Sequence, residues 1–195
     1  EASEPLKKNI WKQTIENKIK NQAALLKKVG KDGNILRPFY SNVKSGDSDN
    51  REGIAAKIYW NELFGSDFVR TREGSEPNNL LNYGYTILRA AMARALMGSG
   101  LLPAIGIFHR NKYNAFPLAD DIMEPYRPFV DELVYRLYSQ GKKELTKEVK
   151  AEILKILFTD TQFEKTTHPL EIGLTTTTAS LVKCLNGTCK RVLYP

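Results

Sequence analysis

Between Leu81 and Ala95 the apolar residues recur in steps of four and three: Leu81, Tyr85, Leu88, Met92, Ala95. Only a helix brings such positions to one side, so residues 78–97 are predicted to form an amphipathic helix with a single buried seam. Trp11, Ile15, Ile19 and Ala23 repeat every fourth residue nearer the start, and Leu26 and Val29 continue the stripe. That pattern predicts one helix over 5–29, stopped by Gly30 and Gly33. A third helix is expected over 51–64, with Asp49 or Asn50 as its cap and Gly65-Ser66-Asp67 as its end. A fourth starts at Pro117 and runs towards Ser139, kinked or broken at Pro125 and Pro128. Two more are expected near 146–158 and 175–185, and only short runs such as Gly106–Phe108 suit strands. The expected architecture is all-α: one multi-helix domain over 1–195, without internal repeats.

The composition of the 195 residues, 42% hydrophobic and 26% charged, excludes disordered and collagen-like chains. The longest uncharged apolar stretch, Gly98–Phe108, contains Pro103 and is too short for a spanning helix, which needs about 20 residues. No membrane partner and no secretion signal are therefore expected. Cys184 and Cys189 are spaced for neither a zinc ribbon nor a redox pair, and read as reduced cytoplasmic thiols. On that reading the sequon Asn186-Gly187-Thr188 carries no weight. The first residue is Glu1 and not Met, which suggests a piece of a longer chain. The net charge is +7, and residues 1–31, with eight lysines and three glutamates, hold most of it. Such a surface suits a polyanion, nucleic acid being the usual one; the alternative is a solvated lysine-rich helix face.

Residues able to do chemistry are few. Of the two histidines, His168 lies before a proline in a threonine-rich loop and reads as inert. His109 follows the apolar Ile105–Phe108 and precedes Arg110 and Lys112, at the edge of a core beside positive charge. Asp120, Asp121 and Glu124 fall at i, i+3 and i+4 spacings, which on one helix turns them to a shared face. A bound cation would relieve their repulsion; alternatively they are acids at a helix N-terminus, stabilised by its dipole. Glu52 opens the third helix with Ala56, Tyr59 and Leu63 on its face, and carries the same two readings. A set of carboxylates and one imidazole suits Mn²⁺ or Mg²⁺ better than sulfur-seeking metals. Gly98-Ser99-Gly100 is a helix end and not a phosphate loop, since Leu-Leu-Pro follows. No pattern suggests a serine, cysteine or lysine nucleophile.

The strings Arg51-Glu52-Gly53-Ile54-Ala55-Ala56-Lys57-Ile58-Tyr59, Asn82-Tyr83-Gly84-Tyr85 with Leu88-Arg89, and Gly106-Ile107-Phe108-His109-Arg110-Asn111 occur in order. Asn114-Ala115-Phe116-Pro117-Leu118-Ala119-Asp120-Asp121-Ile122-Met123-Glu124-Pro125-Tyr126-Arg127-Pro128 follows. Together, and over about residues 7–140, they resemble the CRISPR-associated spacer-acquisition integrases and endonucleases, with a type II flavour. The resemblance implies a helical catalytic lobe, with no counterpart in residues 1–195 of the family's N-terminal β-rich domain. It implies a metal site of Glu52, His109 and Glu124, with Asp121 supporting, holding Mn²⁺ or Mg²⁺. The implied reaction joins foreign DNA fragments to a repeat array by transesterification of a phosphodiester, in a bacterial cytoplasm. The implied partners are DNA (captured fragments and the CRISPR repeat), a second small adaptation subunit, and a second copy of the full-length protein. Arg110, Lys112 and Arg127 flank these positions and are candidate DNA contacts. Tyr83 is a candidate for stacking on DNA, with core packing as its alternative, whereas Tyr85 belongs to the seam. The rival reading is a non-catalytic basic helical module that binds DNA or RNA. It explains the lysine-rich first helix but not the filling of all three metal positions.

Overall fold

A computed structural model describes residues 2–109 and 111–195. The first helix, α1 (Glu4–Lys28), begins where the Ser3 hydroxyl accepts the Leu6 N–H. It gives way at Gly30, whose φ of +80° glycine adopts at little cost. Trp11, Ile15, Ile19 and Leu26 are fully buried along its length, as the four-residue stripe requires. The short α2 (Arg37–Tyr40) folds back across α1 and leads towards α3 (Arg51–Phe64). Of the two expected caps, Asn50 takes the role: in the left-handed region, its side chain accepts the Gly53 N–H at 3.2 Å. Asp49 instead pairs with Arg51.

The seam helix is α4 (Asn78–Gly98). Leu81, Leu88 and Met92 are fully buried and Tyr85 nearly so, while Ala95 is half-buried and Leu96 closes the seam. A Cβ at Gly84 would lie 2.4 Å from Val130 Cγ1, so only glycine lets α4 approach this closely to the helix that carries Val130. The expected 117–139 helix is broken at its prolines into α5 (Pro117–Ile122), a 3-10 turn (Glu124–Tyr126) and α6 (Arg127–Ser139). Next comes α7 (Lys147–Leu154), started by the Thr146 hydroxyl on the Val149 N–H. A 3-10 turn extends it to Phe158. The last helix is α8 (Leu170–Leu185). Across the molecule α1 packs on α3, α6 and the 124–126 turn, and α4 packs on α5, α6 and α8. No helix among the described residues is long and apolar enough to cross a membrane, and both cysteines are free thiols.

The all-α expectation holds, with one small sheet. Strands β1 (Asp160–Gln162) and β2 (Thr167–Pro169) pair antiparallel, with Thr161 opposite His168. Residues 106–108 are not a strand, because the amides of Ile107 and Phe108 bind a side chain instead of a neighbouring strand. Helix α8 begins at Leu170, ahead of the expected 175, entered directly from β2. Its run of β-branched threonines is a poor helix former, yet the hydroxyls find partners. Thr176 Oγ1 donates to the Ile172 carbonyl, Thr177 Oγ1 to that of Leu193 and Thr178 Oγ1 to that of Ala95. The chain's end returns along α1, where Tyr194 and Thr14 share a hydroxyl hydrogen bond of 2.8 Å.

Candidate active site

Three segments meet on the middle of α1, and a lysine is their meeting point. Lys18 lies in step with Trp11, Thr14, Gln22 and Leu25, so the helix turns it inward. Its Nζ sits 2.6 Å from Glu52 Oε1, in the first turn of α3, and 2.5 Å from Glu124 Oε2, in the 3-10 turn. The Glu52 amide is itself fixed, donating to Asp47 Oδ2 at 3.1 Å. Glu124 reaches a second cation through Oε1, 3.0 Å from Arg127 Nε. The Lys18 side chain is 11% exposed and that of Glu124 6%. A buried charge is strongly disfavoured unless it is compensated. Burial draws the Lys18 ammonium down, and Glu124 and Glu52 more than offset it, leaving it above its ordinary pKa. Burial likewise works against the Glu124 carboxylate, but Arg127 and Lys18 hold its pKa below the usual value. The Lys18–Glu124 contact is an ion pair by distance, yet Glu124 Oε2 has no aligned hydrogen-bond partner.

His109 is placed by a carboxylate that accepts four hydrogen bonds. Asp121, fully buried on α5, takes the amides of Ile107 and Phe108 on Oδ2 at 2.7 and 2.9 Å. Its Oδ1 takes the His109 amide at 3.2 Å and meets the His109 ring at Nδ1, 2.5 Å away. Gly106 permits the turn: a Cβ there would lie 2.3 Å from the His109 carbonyl oxygen and 2.9 Å from Pro117 Cβ. The loop is pinned to α1 by Trp11, whose ring stacks on Phe108 at 4.1 Å and meets His109 edge-on at 5.9 Å. The hydrogen bond donated to Asp121 raises the His109 pKa above its ordinary value, against the opposing effect of burial. The charges of Glu124 and His109 also act on one another.

The acidic run does not share one face. Asp120 is held through both oxygens by Arg89, Nε reaching Oδ1 and a terminal nitrogen Oδ2, each at 2.8 Å. Asp121 faces the loop and Glu124 faces Lys18 and Arg127. The helical register ends at Ile122, so the spacing that predicts a common face no longer applies. Asp121, expected as a supporting ligand, has both oxygens engaged with residues 107–109. Arg127 lies within the cluster, its guanidinium 4.6 Å from the Tyr85 ring centroid. Behind it, buried Asp131 accepts the hydroxyls of Tyr59, at 2.6 Å, and of Tyr85. Burial pushes the Asp131 pKa up to about 6. Lys112 is exposed beside Tyr113, 4.8 Å from its ring. Tyr83 is half-buried, with Lys150 of α7 5.9 Å from its ring. Arg110 lies outside the described residues. Sequence reasoning passed over Lys18, although a lysine in register with Trp11 and Leu25 was the available signal.

Among the described residues no three His, Cys, Asp or Glu side chains are gathered as a metal-binding group. Lys18 stands between the two glutamates, and the His109 ring is engaged with Asp121. The donors nevertheless suit a hard divalent ion. Two carboxylates from separate elements converge on one positive charge, and His109 is near enough for its charge to act on that of Glu124.

Residues 2–171 match the family model of the CRISPR associated protein Cas1. A CRISPR-associated endonuclease Cas1 of Neisseria meningitidis is 46% identical over 167 residues, covering 84% of this chain and 55% of that protein. One from Francisella tularensis subsp. novicida is 34% identical over 150 residues, covering 66% of this chain and 47% of its own. The chain thus spans about half the length of these curated relatives. The fold is that of a Cas1 protein from Thermotoga maritima, with a TM-score of 0.80 at 20% identity over 95% of this chain and 67% of the other. A casposase bound to integration product has a TM-score of 0.78 at 23% identity, covering 95% of this chain and 62% of the other. With the family model matched over most of its length, the chain belongs to the CRISPR-associated Cas1 family.

Proposed function

We propose that this chain carries the metal-dependent chemistry of a DNA integrase and endonuclease of CRISPR adaptation. The observation that carries the reading is the meeting of Glu52 and Glu124, from separate elements, at one buried cation. Glu52, Glu124 and His109 would hold one Mn²⁺ or Mg²⁺. When bound, such an ion neutralises charge on a phosphodiester and makes an attacking hydroxyl more acidic. The protein's own part is positioning and charge. Asp121 fixes the tautomer of His109 by taking its Nδ1 side, which directs Nε2 towards a ligand or phosphate. Arg127 keeps Glu124 ionised and remains beside it as a positive charge for a phosphate oxygen. Lys112, exposed on the surface, would contact the DNA backbone, and Arg110 stands as a candidate from the sequence alone. A 3′-hydroxyl as nucleophile gives strand joining, and water gives cleavage.

The relatives' names support this reading: the curated ones are called endonucleases, and one structural neighbour is bound to an integration product. Other neighbours are complexes of Cas6-RT-Cas1 with Cas2, which supports a small second subunit as partner. Pairing with a second copy belongs to the same proposal. The test is Mn²⁺-dependent joining of a DNA fragment to a repeat-containing duplex by His109→Ala and Glu124→Ala variants. Both are expected to lose joining and cleavage while still binding DNA. Joining at the wild-type rate by either variant overturns the site.

A further inference from the structure

We propose that Lys18 is a built-in placeholder cation, which closes the site without metal by occupying the space between Glu52 and Glu124 and is displaced when a divalent ion enters. This inference rests on the metal reading above and adds a residue to it. The two contacts, 2.6 and 2.5 Å, put the carboxylate oxygens no more than about 5 Å apart, with the ammonium between them. An octahedral Mg²⁺ holds its oxygens at about 2.1 Å, so opposite ligands lie about 4 Å apart. The ion and the ammonium therefore need the same space and the same lone pairs, and cannot both have them. Arg127 stays on Glu124 Oε1 in either case, so displacement does not leave that glutamate without a cation. Glu52 is the more exposed partner, its side chain at 25%, and marks the side on which a displaced ammonium reaches water. The lysine stem is long and flexible enough for that movement, while the α1 backbone stays in place.

The test is equilibrium binding of Mn²⁺ alone, without DNA, followed by the electron paramagnetic resonance of the free ion. Removing a unit charge in direct contact should make Lys18→Met bind Mn²⁺ at least about tenfold more tightly than wild type. Lys18→Arg, which keeps the charge, should not gain affinity. Lys18→Met affinity equal to or below wild type overturns the inference. A measurement on the unaltered chain keeps it testable should that variant fold poorly. Titration with diamagnetic Mg²⁺ should shift the Lys18 ¹³Cε–Hε resonance to that of a solvated lysine, with the midpoint of metal binding. An unmoved resonance at saturating Mg²⁺, with binding abolished in Glu124→Gln, refutes the placeholder and leaves the metal site standing. Absence of metal binding in wild type and Lys18→Met alike refutes both.

Discussion

Asp121 provides the sharpest test of how the site is built. Its carboxylate has no solvent contact, and its four acceptor positions are matched by four donors: three backbone amides and the His109 ring. In Asp121→Asn one oxygen becomes an NH₂ group of nearly the same size. If Oδ2 is replaced, the Ile107 and Phe108 amides face another donor; if Oδ1 is replaced, the His109 amide does, while the ring can turn to the tautomer that accepts at Nδ1. A hydrogen bond to a charged group contributes about 1.5–3 kcal/mol, so losing one or two should destabilise the fold by about 1.5 kcal/mol or more. Release of the 106–109 loop from its cradle would limit the loss. The measurement is urea denaturation of both proteins. NMR titration of the imidazoles accompanies it, and with only His109 and His168 in the chain both signals can be assigned. In the wild type the hydrogen bond to Asp121 raises the His109 pKa. The stability gained is present in full below the ordinary histidine value and fades as pH rises through the raised one. In the variant the pKa should fall back and that pH dependence should disappear. Unchanged stability together with an unchanged His109 titration would refute the four-bond account of the loop.

Gly106→Ala should cost about 1–3 kcal/mol, since its Cβ meets the His109 carbonyl oxygen, a backbone atom that no rotamer change removes. Wild-type stability in denaturation would show that the turn has room. Trp11→Ala removes the ring stacked on Phe108 and should cost about 3–5 kcal/mol, read by the same assay, with faster amide exchange across 107–109 than in a core truncation such as Leu181→Ala. Asp131, with its pKa pushed up to about 6, binds its proton more tightly in the folded state than in the unfolded one. Its contribution therefore falls as pH rises from about 4 to 6, and wild-type stability should drop relative to Asp131→Asn across that range. A difference that stays flat with pH would show that the carboxylate is ionised there without penalty.

Much of the fold follows from patterns that act within a few turns of chain. The apolar steps through Trp11–Leu26 and Leu81–Met92 require helices with one buried side, and the fold buries them that way. The cap at Asn50 and the breaks at Pro125 and Pro128 are equally local, because capping and the lost amide of proline act on neighbouring residues. The hairpin at 160–169 and the early start of α8 were not legible, since the threonine hydroxyls in α8 that offset low helix propensity reach carbonyls as distant as Ala95 and Leu193. Glu52, His109 and Glu124 stood out as candidates by residue type and by family resemblance, but what each one touches depends on how the helices cross. Local spacing put Asp120, Asp121 and Glu124 on one face; the packed structure gave each a different partner. Lys18 looked like one more solvated lysine, and became the centre of the site when α3 and the 124–126 turn closed over α1. A charge responds to everything within several ångströms of it, and those neighbours are set by tertiary packing and not by the residues beside it in the chain.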